Sequence, residues 1–393
     1  MRALTPCGLL ALALLSAPLD AQRVRMVVPL NALVERARVD SNDAPTQYEV
    51  ALGYWLAKRY DEAESHLRRA IAIEPATAAA YLALSYLPYA RRNKLWGEEA
   101  EGKVPAEWQP RVEEAAAFRR RAFLLDPLVD LKPLALMIPP AGVFGLKGNA
   151  EAVYTYLMNG FGSFWDGQYA NAYAFFRELA GPATDQDRRE KFGSWFLWYE
   201  ALAAAHTNDF ARATTNLRIL LARAEATTAL GGGATLAFTD ATHYRYTLAC
   251  ILDLAGESRE AVTLLQQALT DDVGLYPAHV RLARIYEDQH RTNPALEERR
   301  RAVASNPDDP SLLFDLGESL ARAGELVEAH GVLRQAVAAN PRSHRALYVL
   351  GFVAQQVGSA EEARGAYARF LELAPSRFDE QKAEARRRLA ALN

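Results

Sequence analysis

Cysteine is almost absent from this chain: 393 residues hold two, Cys7 and Cys250. A disulfide framework is therefore excluded, and whatever fold forms is held by packing. Charge of one sign is lacking too. Forty-five Lys and Arg stand against 48 Asp and Glu, a net charge of -3, which makes nucleic acid and anionic membrane poor partners. The apolar run Gly8–Ala17 is far short of the roughly 20 residues that span a bilayer. Catalytic patterns are missing as well. There is no His-Glu-x-x-His, no Gly-x-Ser-x-Gly, and no Cys or His pair at zinc spacing with a partner cluster. Gly231-Gly232-Gly233 lacks the Lys-Ser or Lys-Thr that a phosphate loop needs. His243 and Cys250 could share a helix face, but two ligands make no site. Nothing here supports an enzyme, a cofactor or a metal.

What is present begins with the N-terminus. Arg2, the apolar Gly8–Ala17 and Leu19-Asp20-Ala21 before Gln22 read as a signal peptide over 1–21. The expectation is export, periplasmic or secreted, without stable membrane insertion once the leader is cleaved. Cys7 precedes the apolar stretch, so it cannot become a lipid anchor. The remaining Cys250, among Leu248, Ala249, Ile251 and Leu252, reads as a buried, inert thiol.

An internal period dominates the rest. Leu316-Gly317, Gly324, Ala329 and Pro341 recur 34 residues on as Leu350-Gly351, Gly358, Ala363 and Pro375. The same interval backwards finds Leu282-Ala283, Ala295, Ala302 and Pro307, then Leu248-Ala249, Gly256, Ala261, Leu265 and Ala268. Each residue type has a physical reason. Gly317 lets two helices approach closely, and Gly324 ends the first helix in a conformation that favours glycine. Ala329 and Ala336 are small where the second helix packs, Leu333 fills the core, and Pro341 stops the second helix.

On these positions the chain resembles the tetratricopeptide repeat family. The resemblance implies an all-α, right-handed superhelical solenoid of helix-turn-helix repeats, in which stacked neighbours make the core. It extends upstream with less fidelity through Tyr54, Tyr60, Ala63, Leu67, Ala70 and Pro75. It continues through Tyr81, Leu84, Ala115, Ala122 and Pro127, then Gly160, Gly167, Tyr169, Ala172 and Phe176. Asn208 replaces the turn glycine before Ala213 and Leu217; His290 and Arg291 do so before Ala295. Arg119 and Arg299 stand where a large apolar residue is usual. About eight units result. The expected division is a capping segment over 22–43, units over 44–127 with an insertion at 88–110, and a Pro/Gly-punctuated apolar segment over 128–152. Units over 153–228, a Gly-rich insertion over 229–241, units over 242–377 and a capping helix over 378–393 complete it. Asn31 is expected to cap a short helix through Val39, and charged outer faces at both ends suit an open stack.

Function then lies in the surface. The resemblance implies that the first helix of each unit lines a concave groove where peptide ligands lie. Aromatic residues recur there at helical spacing, Tyr154, Phe161 and Trp165, then Trp195, Trp198 and Tyr199, with Tyr86, Tyr89, Tyr48 and Trp55 upstream. Two readings stay open for them: core, or an aromatic groove gripping a partner. Equivalent C-terminal places are charged, with Arg281, Arg284 and Arg322 beside Asp315 and Glu318. The expected role is a scaffold that binds a protein or peptide segment through Tyr154, Phe161, Trp165, Trp195, Trp198, Tyr199, Arg281, Arg284 and Arg322. The alternative is a cell-envelope protein that stacks carbohydrate on the clustered Trp and Tyr.

Overall fold

A computed structural model describes residues 28–129, 159–164, 167–180, 193–226 and 240–392. The expected signal peptide, Tyr154, Trp165 and the Gly231-Gly232-Gly233 insertion lie outside these residues, as does most of the Pro-punctuated segment. Among the described residues the regular elements are helices. A first helix α1 (Leu30–Val39) precedes α2 (Ala44–Leu56), α3 (Tyr60–Ile73), α4 (Ala78–Arg91), the short α5 (Leu95–Ala100) and α6 (Gln109–Leu125). After the helical stretch 159–164 come α7 (Tyr169–Ala180), α8 (Ser194–His206), α9 (Phe210–Ala226), α10 (Ala241–Leu254) and α11 (Ser258–Asp271). The regular half continues with α12 (Tyr276–Asp288), α13 (Thr292–Ser305), α14 (Pro310–Ala323), α15 (Leu326–Ala339), α16 (His344–Gln356), α17 (Ala360–Leu373) and α18 (Asp379–Ala391). Consecutive helices pack in pairs and each pair packs on the next, which makes the fold an all-α solenoid of tetratricopeptide-type repeats.

One residue in each turn sets the period. Lys58, Gly167, Asn208, Gly256, His290, Gly324 and Gly358 all have positive φ and sit between the two helices of a unit. The amide after each one reaches back to the last turn of the first helix, as in Glu325 N–H to Leu320 O at 3.0 Å and Arg291 N–H to Tyr286 O at 2.8 Å. Such a left-handed residue satisfies carbonyls the helix end would otherwise leave open. Seven positions before it stands a small residue, Ala51, Ala201, Ala249, Ala283, Gly317 or Gly351 among others. The reason is contact: a Cβ on Gly317 would lie 2.6 Å from the Leu333 side chain, and one on Gly351 2.8 Å from Tyr367. Four first helices start on polar caps. Asp43, Asp240, Asp309 and Ser343 each accept a hydrogen bond from the opening turn of α2, α10, α14 and α16.

Three sequence expectations shift. The helix α1 starts at Leu30 behind Pro29, and Asn31 lies inside it. Pro88 does not open the insertion. It sits within the last turns of α4, and the break falls after Arg91, with α6 admitting Pro110 in its first turn. Proline lacks an amide to donate, but the first turn has amides to spare.

The third shift is larger: the two ends of the stack are not open. Loops between N-terminal units meet loops between C-terminal units in antiparallel order. Asp40 accepts from the Ser376 amide (2.9 Å) and hydroxyl (2.7 Å). Asn42 donates to the carbonyls of Arg342 and Leu373 and accepts from Arg342 Nε, all at 3.0–3.2 Å. Asp43 pairs with Arg377 at 2.7 Å. Further in, Asn340 donates to Ile73 O (3.1 Å), Arg121 pairs with Asp309 (2.8 Å), and the Tyr246 hydroxyl donates to Leu124 O (2.6 Å). As the N-terminal partner advances from residue 40 to 124, the C-terminal one retreats from 376 to 246. The chain closes along a polar seam.

Candidate functional site: the concave face

The left-handed residues give a register in which equivalent places can be compared. Six positions before them, apart from Lys58 with its half-buried Leu52, stand Phe161, Leu202, Cys250, Arg284, Glu318 and Phe352. The first three are buried, whereas Arg284 is exposed and Glu318 and Phe352 are half-buried. Nine positions before, Tyr199 and Thr247 are buried while Arg281, Asp315 and Val349 are half-open. The same face is thus sealed from 161 to 250 and accessible from Arg281 onwards.

The seal is aromatic. Phe161 is 0% exposed and meets Phe176 and Tyr199 edge-on, with ring centres 5.1 and 5.0 Å apart. Trp198, 1% exposed, lies between Phe123 of α6 and Tyr244 of α10 at 5.5 and 5.9 Å. Tyr199 is 4% exposed. Trp195 is half-buried, tilted on Phe161 at 5.6 Å. Upstream, Tyr86, Tyr89 and Trp55 are buried. The aromatic groove is therefore corrected for Phe161, Trp198 and Tyr199: they are core. A side chain without accessible surface can neither anchor a partner nor stack a sugar ring. The physical reason is that α4, α8 and α10 carry apolar residues all round, as a helix does when it is packed on every side.

The accessible stretch is charged and structured. Arg299, buried in α13 where an apolar residue was due, donates to Glu287 of α12 (3.0 and 3.2 Å) and to Asp315 of α14 (2.9 Å). Ser319 donates to the same Glu287 at 2.8 Å. Burial works to raise the Glu287 carboxyl, but the bonds from Arg299 and Ser319 outweigh it and the net displacement is downward. For Asp315 burial wins over Arg299 and Arg284, and its carboxyl is displaced upward. Arg322 pairs with Glu318 at 2.9 Å, and Arg281 reaches Asp253 at 3.4 Å. Arg284 has no ion pair among the described residues. Of the expected arginines, Arg281 and Arg284 line one cavity, and Arg322 stands beyond it near Glu287.

Sequence reasoning missed Arg121 and Tyr276, which line that cavity from the seam. Asp309 was readable as a cap before Pro310. Its pairing with Arg121, 188 residues away, has no local signature. Among the described residues no group of three His, Cys, Asp or Glu could hold a metal ion, and no helix is long and apolar enough to cross a membrane.

The class of protein that this geometry defines is an all-α helical-repeat protein. Residues 280–332 and 314–378 match the family model described as tetratricopeptide repeat. Among solved structures, the fold is similar to the C-terminal part of a TPR repeat-containing protein from Cytophaga hutchinsonii. The two are 15% identical over 59% of this chain and 86% of that one, with a TM-score of 0.47. A crystal structure of MamA protein is similar at 17% identity over 49% of this chain and 94% of that one, TM-score 0.37. A MamA AMB-1 structure is similar at 18% identity, 46% and 91% coverage, TM-score 0.36. No curated protein matches the chain.

Proposed function

We propose that the chain is an exported scaffold that holds a segment of a partner protein along the first helices of its last three units, α12, α14 and α16. The observation that carries this reading is the change at one register position, from buried Cys250 to exposed Arg284 and half-buried Glu318 and Phe352. A repeat protein that seals half of its concave face and leaves the other half accessible presents a short docking track. Arg284 and Arg322 at the track's surface favour acidic residues in the segment, and Phe352 beside Arg388 (5.1 Å) supplies an apolar contact. Export is supported by Arg2 and the apolar Gly8–Ala17 before Ala21-Gln22.

The test is site-specific photo-crosslinking in the cells that make the protein, with the crosslinking residue at 284, at 322 or at Val327. Val327 is 82% exposed on α15, a second helix. Peptide mapping should find one partner segment joined to 284 and 322 and absent from 327. Equal crosslinking at all three positions would sink the reading. Export has its own readout: the mature protein should begin at Gln22 by intact mass, and an unprocessed chain retaining Met1 would overturn it.

A further inference from the structure

The buried apolar residues divide into separate bodies. One cluster runs from Ala44 of α2 to Ala295 of α13, and another from Leu296 of α13 to Ala366 of α17. Val337 packs on the latter and on a third cluster, from Leu347 to Ala385, so α14 to α18 form one continuous body. The break between the first two clusters falls at the buried Arg299, which bridges Glu287 of α12 and Asp315 of α14 at 2.9–3.2 Å. Leu296, Arg299 and Val303 share one face of α13, and the two apolar members pack on the second cluster. Charge thus stands at this boundary, whereas the boundaries from α2 to α12 are bridged by the continuous first cluster.

Two further features fall at the same joint. A cavity of about 110 Å³ has Arg121, Leu124 and Arg281 on one side of the break and Asp309, Leu312 and Asp315 on the other. A void leaves its walls without the contacts that hold packed surfaces in one arrangement. The second feature is the seam, where the body from Asp309 onwards meets the N-terminal half through polar bonds. Arg377 pairs with Asp43 at 2.7 Å, Arg345 with Glu74 at 3.5 Å, and Asp309 with Arg121 at 2.8 Å. The innermost seam bond, from Tyr246 to Leu124, lies within the first body.

We propose that α14 to α18 swing as one rigid body, hinged on α13 at the Arg299 layer and latched by the outer seam. Leu296 and Val303 are the pivot. Polar groups at the hinge and the latch exchange their partners for water at small net cost, whereas parting an apolar core has no such compensation. The bend is thereby confined to one boundary. A uniform repeat array, with every boundary alike, would spread it over many. Opening also turns α14 and α16 relative to α12; what that does to a bound segment rests on the partner track, and the hinge itself does not.

The experiment is spin-label distance measurement on the full chain carrying Cys7→Ser and Cys250→Ala, with labels at pairs of exposed positions. Leu56→Cys with Gln289→Cys reports the first body, and Val327→Cys with Ala383→Cys the second. Leu56→Cys with Val327→Cys reports the separation between them. Arg345→Glu with Arg377→Glu cuts the latch: each side chain is 48% exposed, and each substitution sets a carboxylate against a carboxylate. In that variant the pair between the bodies should lengthen by about 10 Å, a helix diameter. Both within-body distances and the helical content should stay as in wild type. Adding Glu287→Leu, Arg299→Leu and Asp315→Leu joins the two cores. Apolar residues of similar volume can replace a buried ion group without loss, so the longer population should fall by about threefold or more. If that apolar layer prevents folding, the three distances in the latch variant decide the matter by themselves. No lengthening between the bodies, lengthening shared by the within-body pairs, or a long population unchanged by a folded apolar layer would each overturn the hinge.

Discussion

At the residue scale the turn position shows how a period can be kept with unequal chemistry. His290 and Gly324 occupy equivalent turns with φ of 59° and 83°. An L-residue in the left-handed region loses roughly 1–2 kcal/mol per residue that glycine does not. His290→Gly should therefore raise stability by about 0.5–1 kcal/mol, net of glycine's greater freedom in the unfolded chain. Gly324→Ala should lower it by about 1 kcal/mol. Urea unfolding of both variants checks the pair, and a destabilised His290→Gly would mean that the imidazole makes a contact worth more than the strain. Arg299 is the opposite case, a departure that the rest of the sequence accommodates. Its guanidinium neutralises Glu287 and Asp315 from within the stack. Arg299→Leu restores the apolar residue usual at that place but leaves two half-buried carboxylates facing each other. A loss of about 3–5 kcal/mol is expected, as for a broken buried pair. A milder loss in Arg299→Leu with Asp315→Asn would assign the cost to the orphaned acids.

Among the elements, the first helices divide by what covers them. In α8 and α10 the apolar residues run all round, and Trp198 joins them across to α6. Trp198→Ala should cost about 3–5 kcal/mol and unfold part of the array, measured as a loss of helical signal at a lower denaturant midpoint. Much of this was legible beforehand. The period placed the turns and stops among α10 to α17, because Gly324, Ala329 and Pro341 are each dictated by local sterics that repeat with the unit. Asn208 and His290 could be read as replacements for glycine for the same reason. The covering of α8 could not. An i, i+3, i+4 row of Trp and Tyr has the same spacing whether it meets a partner or its own neighbours. The choice depends on α6 and α10 arriving from 75 residues before and 46 residues after Trp198, as Phe123 and Tyr244 do.

The whole molecule is governed by the seam, whose contacts are polar and therefore individually weak, about 0.5–1.5 kcal/mol each. Closure by many small terms is a condition in which one titrating group can matter. His344, at the start of α16, is buried with neither ring nitrogen hydrogen-bonded, and its ring meets Phe378 edge-on at 4.7 Å. Burial, then the charge of Arg377, lowers its pKa from 6.5 to about 4; Arg345 and Lys382 add to this and Asp43 opposes it. The folded value lies below the unfolded one, so between pH 6.5 and about 4 the unfolded chain takes up a proton that the folded chain refuses. Stability is complete above pH 6.5 and falls by about 3 kcal/mol as the pH drops to 4. Asp43, whose burial is outweighed by bonds from Thr46 and Arg377, is displaced downward. It adds a further loss in the same direction at the acid end, because its stabilising charge disappears as pH falls through its folded value. Both groups stand at the seam, so acid should open the closure before it melts the units. Small-angle scattering at pH 7 and pH 4.5 should show a larger radius of gyration in acid at nearly unchanged helical content. His344→Leu removes the titrating ring while keeping an apolar contact for Phe378, and should stay compact at pH 4.5 while wild type expands. If both expand alike, His344 does not govern the opening. If neither does, the seam is stronger than the sum of its hydrogen bonds, and the apolar contacts beneath Tyr246 and Leu124 hold the ends together.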